Sequence, residues 1–135
     1  MEQDKQEFRM PTEKKLYIEK SVIEKMISFI QDTRFTPESG GCLIGKYRSS
    51  GNIDIIDCTV PYPKDNRNIV KFLRKDKKHL EYIEKIKESS NGFIGYIGNW
   101  HTHPQDIPEP SIVDIISWQN SLVKETEEFP LIFII

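Results

Sequence analysis

The segment Trp100-His101-Thr102-His103-Pro104 and, with seven residues between His103 and Ser111, the run Ser111-Ile112-Val113-Asp114 hold the residue types most able to do chemistry. Side chains of an extended strand alternate with period two, so His101 and His103 project to the same side. Their ring nitrogens can then reach one metal ion at roughly 2.0–2.1 Å. Pro104 ends the strand, and the following loop is long enough to bring a helix back over the site, with Asp114 in its first turn as a third ligand. Two His and one carboxylate leave a position open for water, the arrangement of a catalytic rather than a structural zinc site. Such a site lowers the pKa of a water toward ~7 and polarises a carbonyl. A hydrolase of this kind also needs a carboxylate that takes the water's proton and passes it to the leaving amine. Glu38, just ahead of Gly40-Gly41, is the candidate base, and Ser111 could donate to the oxyanion that develops.

Each of these signals has a plainer reading. Ser111-x-x-Asp114 is also an ordinary capping box for the helix it opens, and both roles can hold at once. A lone His-x-His is more often an accident of a strand or loop; the joint spacing with Ser111, Asp114 and Glu38 is what favours a metal. Cys42 and Cys58 lack the short Cys-x₂₋₄-Cys pairing of a structural zinc site, and Cys42 reads as a small buried hydrophobe. A cysteine nucleophile built on Cys42 would leave the metal triad unexplained. His79, among Lys75, Lys77 and Lys78, reads as solvated, and the basic run over 71–88 reads as an outer face. Trp100 and Trp118 read as core. Asp106, Glu109, Glu125, Glu127 and Glu128 make the C-terminal third acidic, a docking face for basic surface on a partner.

The elements that must position these residues follow from pattern. The first dozen residues are polar and predict a loosely docked start. Leu16-Tyr17-Ile18 predicts a short strand. Ser21 with Glu24 predicts a capping box opening a helix over 22–31, with Ile23, Met26, Ile27 and Ile30 on its buried face. The apolar stretch after Glu38 and the run 53–60 predict a hairpin turning at Ser49-Ser50-Gly51-Asn52. A turn-rich loop over 61–68 precedes a helix over 70–89, with Leu73, Leu80, Ile83 and Ile86 inward. Residues 93–100 predict a strand covered on both faces. A helix over 112–124, with Ile112, Ile115, Ile116, Leu122 and Val123 inward, and a strand over 129–135 complete the chain.

At 135 residues one compact domain is expected, long enough to bury a core without staples. Hydrophobic residues are 37% and charged residues 30%, which excludes collagen, coiled coil and disorder. The longest apolar run, Leu131 to Ile135, is far short of the ~20 residues of a membrane helix, and no secretory signal opens the chain. Two cysteines without such a signal predict a reduced, cytoplasmic protein. A net charge of −2 predicts neither nucleic-acid nor membrane binding.

Taken together the residues resemble the JAB/MPN metalloenzymes that carry the JAMM motif. That motif is a Glu ahead of a small-residue strand, then His-x-His-Pro, then Ser and Asp at fixed distance. Glu38, His101, His103, Ser111 and Asp114 match it in full, within Glu38-x-Gly40-Gly41-x-Leu43-x-Gly45 and Gly98-x-Trp100-His101-Thr102-His103-Pro104. The resemblance covers residues 16–135 as a single domain, after a polar segment over 1–15. It implies an α/β fold of the cytidine-deaminase-like kind: a mixed, curved β-sheet flanked by about three helices. It implies one Zn²⁺ per chain held by His101, His103 and Asp114, with Glu38 as general base and Ser111 stabilising the tetrahedral intermediate. The implied reaction is hydrolysis of the amide bond after the C-terminal glycine of a ubiquitin-like protein or its conjugate.

The Gly98–Pro104 context is similar to the stand-alone prokaryotic branch of that family. Members of that branch accompany relatives of ubiquitin-activating and -conjugating enzymes in anti-phage operons of the type II CBASS kind. There the peptidase removes or processes conjugates on a cGAS-like nucleotidyltransferase, so these proteins are the partners the resemblance implies. Family members usually continue past the strand in which this chain ends, at Ile135. Non-catalytic MPN scaffolds typically lack a ligand, and none is lacking here. A nucleobase deaminase would need His-x-Glu and Pro-Cys-x-x-Cys, and a cupin-like site an almost all-β chain.

Overall fold

The computed structural model describes residues 4–30, 36–68, 71–105, 107–124 and 131–135. Strand β1 (Lys5–Arg9) pairs antiparallel with β2 (Lys15–Glu19). β2 runs directly into helix α1 (Lys20–Ile27). β3 (Gly40–Tyr47) and β4 (Ile53–Cys58) form the expected hairpin. Its turn is closed by the Arg48 N–H on the Asn52 carbonyl at 2.8 Å, with Gly51 at φ +94°, where a side chain would be strained. β7 (Gly95–His101) lies antiparallel to β3, and β8 (Ile132–Ile134) lies parallel to β7. The order β1-β2-β4-β3-β7-β8, with β2 also parallel to β4, makes one mixed sheet. Register shifts at Leu43/Ile44 and Ile44/Gly45 are bulges, which bend β3 and deepen the twist of the sheet.

One face of the sheet is covered by α1. Val22 packs there with Leu16, Ile18, Leu43, Ile53, Ile55, Ile97 and Trp100. The other face is covered by α2 (Lys78–Ser89), where Ile83 meets Cys42 and Ile44. Each such side chain contributes roughly 1.5–3 kcal/mol relative to exposure. α3 (Ile112–Lys124) follows the histidine strand. A separate two-stranded hairpin, β5 (Asn66–Asn68) with β6 (Lys71–Leu73), projects between β4 and α2. Among the described residues the α/β class, the mixed sheet and three helices are therefore as the family resemblance implies. Among the described residues no helix is long and apolar enough to cross a membrane.

Several local expectations are corrected. Residues 5–9 are not loose: they extend the sheet, with Phe8 opposite Leu16 and an ion pair of 2.9 Å between Glu7 and Lys15. The helix after β2 starts at Lys20 and stops at Ile27, and no side chain caps it, because β2 leads straight in from Glu19. The helix expected from residue 70 begins at Lys78. Before it, β6 pairs with β5 instead, and the Asp65 and Asp76 carboxylates take the backbone N–H groups of Lys75, Asp76 and Lys78.

His79 is fully buried, not solvated, with Ile83 one turn on, while Leu80 is exposed. Along α3, Ile112, Ile115 and Ile116 are exposed, because the helix leans on the body through Asp114 and Trp118, one turn apart. Trp118 stacks on Phe133 with ring centroids 4.8 Å apart. Parts of the expected loop at Arg34–Pro37, together with Val70, Asp106, Glu125, Glu127, Glu128, Phe129 and the side chains of Leu122 and Val123, lie outside the described residues.

Candidate metal centre

Pairing of β3 with β7 sets Gly40 opposite His101 and so carries Glu38 to the end of the histidine strand. The approach is close: a Cβ at Gly40 would lie 2.5 Å from the Trp100 carbonyl oxygen. Beyond the last ladder pair, the Thr102 N–H donates to the Ser39 carbonyl at 2.8 Å, and the Ser39 N–H donates to Thr102 Oγ1 at 3.0 Å. Thr102, the residue between the two histidines, thus pins the residue after Glu38. Trp100 is held from behind by its indole N–H on the Thr59 carbonyl at 2.8 Å. On α3, the Ser111 N–H donates to Asp114 Oδ2 at 2.8 Å, and the Asp114 N–H donates to Ser111 Oγ at 3.1 Å. This reciprocal capping box fixes the Asp114 carboxylate at the helix start.

The atoms converge. His101 Nε2 and His103 Nε2 are 3.2 Å apart. Asp114 Oδ1 lies 2.9 Å from His101 Nε2, and Asp114 Oδ2 lies 3.1 Å from His103 Nε2. Glu38 Oε1 is 3.5 Å from His103 Nε2. Ligands at roughly 2.0–2.1 Å from a tetrahedral metal stand about 3.3 Å from one another, so this spacing suits a small divalent ion. Imidazole nitrogens and carboxylate oxygens aimed at a common point are also electron-rich toward each other, and a cation relieves that opposition. Glu38, His101 and His103 each offer a ligand atom within 4.8 Å of the others, while Asp114 makes the shorter approaches to both rings. The donor set fits a metal ion. On its outer side His103 Nδ1 faces Gln105 Oε1 at 3.4 Å, and that same oxygen accepts the Glu109 N–H at 3.0 Å. An orienting partner of this kind holds a ligating ring in place; nothing in the local sequence pattern marked Gln105 for it.

Electrostatics divides the carboxylates. Burial pushes the Glu38 carboxyl up to about 7, with His103 opposing and Asp114 reinforcing the rise. Burial works against charge on Asp114 too, yet the Ser111 N–H, the His101 ring and the Ser111 hydroxyl together hold it below its ordinary value. Burial lowers His101, against the pull of Asp114, which favours the neutral ring that a metal requires. The site therefore pairs a carboxylate that stays ionised with one poised to exchange a proton near neutral pH.

All five residues singled out from sequence are brought to this site. Ser111 is exposed at its rim, and its hydroxyl oxygen accepts the Asp114 N–H. Cys42 and Cys58 are buried in clusters on opposite faces of the sheet and take no part in it. A groove of about 600 Å³ opens onto His101 and His103, walled by apolar groups including Phe8, Met26, Ile27, Ile30 and Ile134. The sequence pattern predicts no such groove, because it predicts a loosely docked start where β1 forms one wall.

Residues 19–135 match the family described as prokaryotic homologs of the JAB domain. Three curated relatives carry the name CD-NTase/cGAS isopeptidase. The Escherichia coli (strain TW11681) protein is 39% identical over 102 residues, covering 76% of this chain and 65% of its own. The Vibrio cholerae (serotype O1, strain ATCC 39315 / El Tor Inaba N16961) protein is 34% identical over 111 residues, covering 82% and 70%. The Pseudomonas aeruginosa (strain BWHPSA011 / Pa011) protein is 31% identical over 120 residues, covering 89% and 75%. The matched region thus spans about two thirds to three quarters of those proteins' length.

Proposed function

The chain belongs to the prokaryotic homologs of the JAB domain, and from that membership we propose that it is a zinc-dependent isopeptidase domain. In this reading His101, His103 and Asp114 hold one Zn²⁺. When bound there, such an ion would supply Lewis acidity for activating a water near neutral pH and polarising a peptide carbonyl. Glu38, buried beside the histidine rings, takes the proton of the attacking water and returns it to the leaving amine. Ser111 donates its hydroxyl proton to the oxygen that gains charge. Asp114, held by the capping box, stays ionised throughout. The observation that carries the reading is the convergence of His101 Nε2, His103 Nε2 and the Asp114 carboxylate within 2.9–3.2 Å, with Glu38 beside them.

The substrate is the amide bond after the C-terminal glycine of a ubiquitin-like protein, or of a protein joined to a target as such proteins are. The names of the relatives favour a CD-NTase or cGAS-like protein as the conjugated target; the cytoplasm and an anti-phage operon are the setting that the family resemblance implies. Relatives of ubiquitin-activating and -conjugating enzymes would then supply the conjugate. A polypeptide tail lying extended, as an added strand, would bring one carbonyl over the site. Small residues before the scissile bond suit so close an approach.

The test is cleavage of a ubiquitin-like or CD-NTase C-terminal fusion by the zinc-loaded protein, read by mass spectrometry of the products. Cleavage at the terminal residue that stops on chelation and returns with zinc is the expected result. A protein that binds zinc and the fusion but releases no product is a non-catalytic scaffold, and the reading fails.

A further inference from the structure

We propose that Arg67 is a positioning residue for Glu38, acting from the β5–β6 hairpin on the main chain that carries the base. The inference rests on the reading of Glu38 as the base. Arg67 Nε donates to the Glu38 carbonyl oxygen at 3.0 Å, and Nη2 donates to Ser39 Oγ at 2.6 Å. Next to it, the Glu38 N–H donates to the Asn68 carbonyl at 2.7 Å. Phe72, the ladder partner of Arg67, packs so closely on Gly40 that a Cβ there would stand 2.8 Å from its ring. The peptide groups on both sides of the Glu38 side chain are therefore held by consecutive hairpin residues, while Ser39 is held from the opposite side by Thr102.

Two acceptors on adjacent residues, met by one planar group, match what a guanidinium offers and an ammonium does not. The hairpin in turn has a rigid base. Asp65 accepts the N–H groups of Tyr62, Lys75 and Asp76 at 2.8–2.9 Å, and its Oδ2 is 2.6 Å from His79 Nε2. Asp76 accepts the N–H groups of Lys64 and Lys78 at 2.9 and 3.0 Å. His79 Nδ1 meets the Thr59 hydroxyl at 2.6 Å, at the end of β4. Arg67 is thereby presented from a loop closed on both the sheet and α2. A misplacement of about 1 Å in a catalytic group can lower turnover on the order of 10²-fold, so this clamp acts on rate without touching the ligands.

The experiment compares wild type and Arg67→Ala, zinc-loaded, for kcat and KM on the fusion substrate, for bound zinc, and for hydrogen exchange over residues 36–42. The expected result is a kcat lowered about 10- to 100-fold with KM and zinc within twofold, and exchange at Glu38 and Ser39 at least tenfold faster. Arg67→Lys, which keeps the charge but offers one point of contact, should lose kcat in the same direction and serves if Arg67→Ala does not fold. Wild-type turnover, unchanged exchange, or a loss carried by KM or zinc overturns the proposal. If the wild-type protein itself cleaves nothing, the exchange measurement still reads whether Arg67 holds Glu38. A failed peptidase reading is thus distinguished from a failed clamp.

Discussion

His101 and His103 bring their Nε2 atoms to 3.2 Å from one another, and the two oxygens of Asp114 divide between them, one to each ring. Such a cluster is stable when a cation sits at its focus. His103→Ala and Asp114→Ala should each lower zinc affinity by at least tenfold, measured as zinc per chain after dialysis against a competing chelator. Wild-type zinc content in either variant would remove that residue from the ligand set.

Glu38→Gln keeps the shape of the side chain but cannot shuttle a proton. Bound zinc should be unchanged and kcat should fall by roughly 10²–10⁴, the range for loss of a general base. Turnover at the wild-type rate assigns the base elsewhere.

Ser111→Ala separates two roles of one hydroxyl. Loss of the helix cap should cost about 1 kcal/mol in denaturant unfolding. Loss of an oxyanion donor should lower kcat by about 10²-fold or more. A variant that loses only the stability makes Ser111 a cap alone.

Glu38 also makes a stability prediction for the chelated protein. Its carboxyl is raised by burial from 4.5 to about 7 in the fold. Between those values the native state binds more protons than the unfolded chain, so stability falls as pH rises through the window. Chelated Glu38→Gln should lack this loss and be more stable than chelated wild type at pH 8, by no more than about 3 kcal/mol at 1.36 kcal/mol per pK unit. At pH 4 the two should be similar. Equal pH dependence in thermal melts of the two proteins refutes the assignment.

His79 tests the base of the hairpin. Its ring joins Thr59 and Asp65 in a fully buried chain of hydrogen bonds. His79→Ala should leave the Asp65 carboxylate short of a donor and cost roughly 3 kcal/mol or more, as breaking a buried polar pair does. A midpoint shift below 1 kcal/mol would mean that the loop holds itself without the ring.

What was legible in the sequence was what repeats at short range. Period-two alternation places His101 and His103 on one side, and the three-residue interval sets Ser111 and Asp114 as a box, because both follow from backbone geometry within one element. The hairpin at Gly51 and the central strand through Trp100 were legible for the same reason. His79 was misread because a polar residue among lysines looks solvated; its spacing of four from Ile83 was the available signal. The α3 face was misread because isoleucines at helical spacing state which side is apolar, not whether anything covers it.

Residue spacing along the chain, by itself, singled out the side chains that converge at the site and predicted that a sheet with helices would hold them. Tertiary structure alone decided that Glu38 meets His103 across 65 residues of chain, that Arg67 grips the backbone beside it, and that a buried histidine braces the loop between. Those contacts depend on the register between β3 and β7 and on how the 62–79 loop closes. Register and closure are set by the sum of many weak long-range packing and hydrogen-bond terms, and no short window of sequence contains that sum.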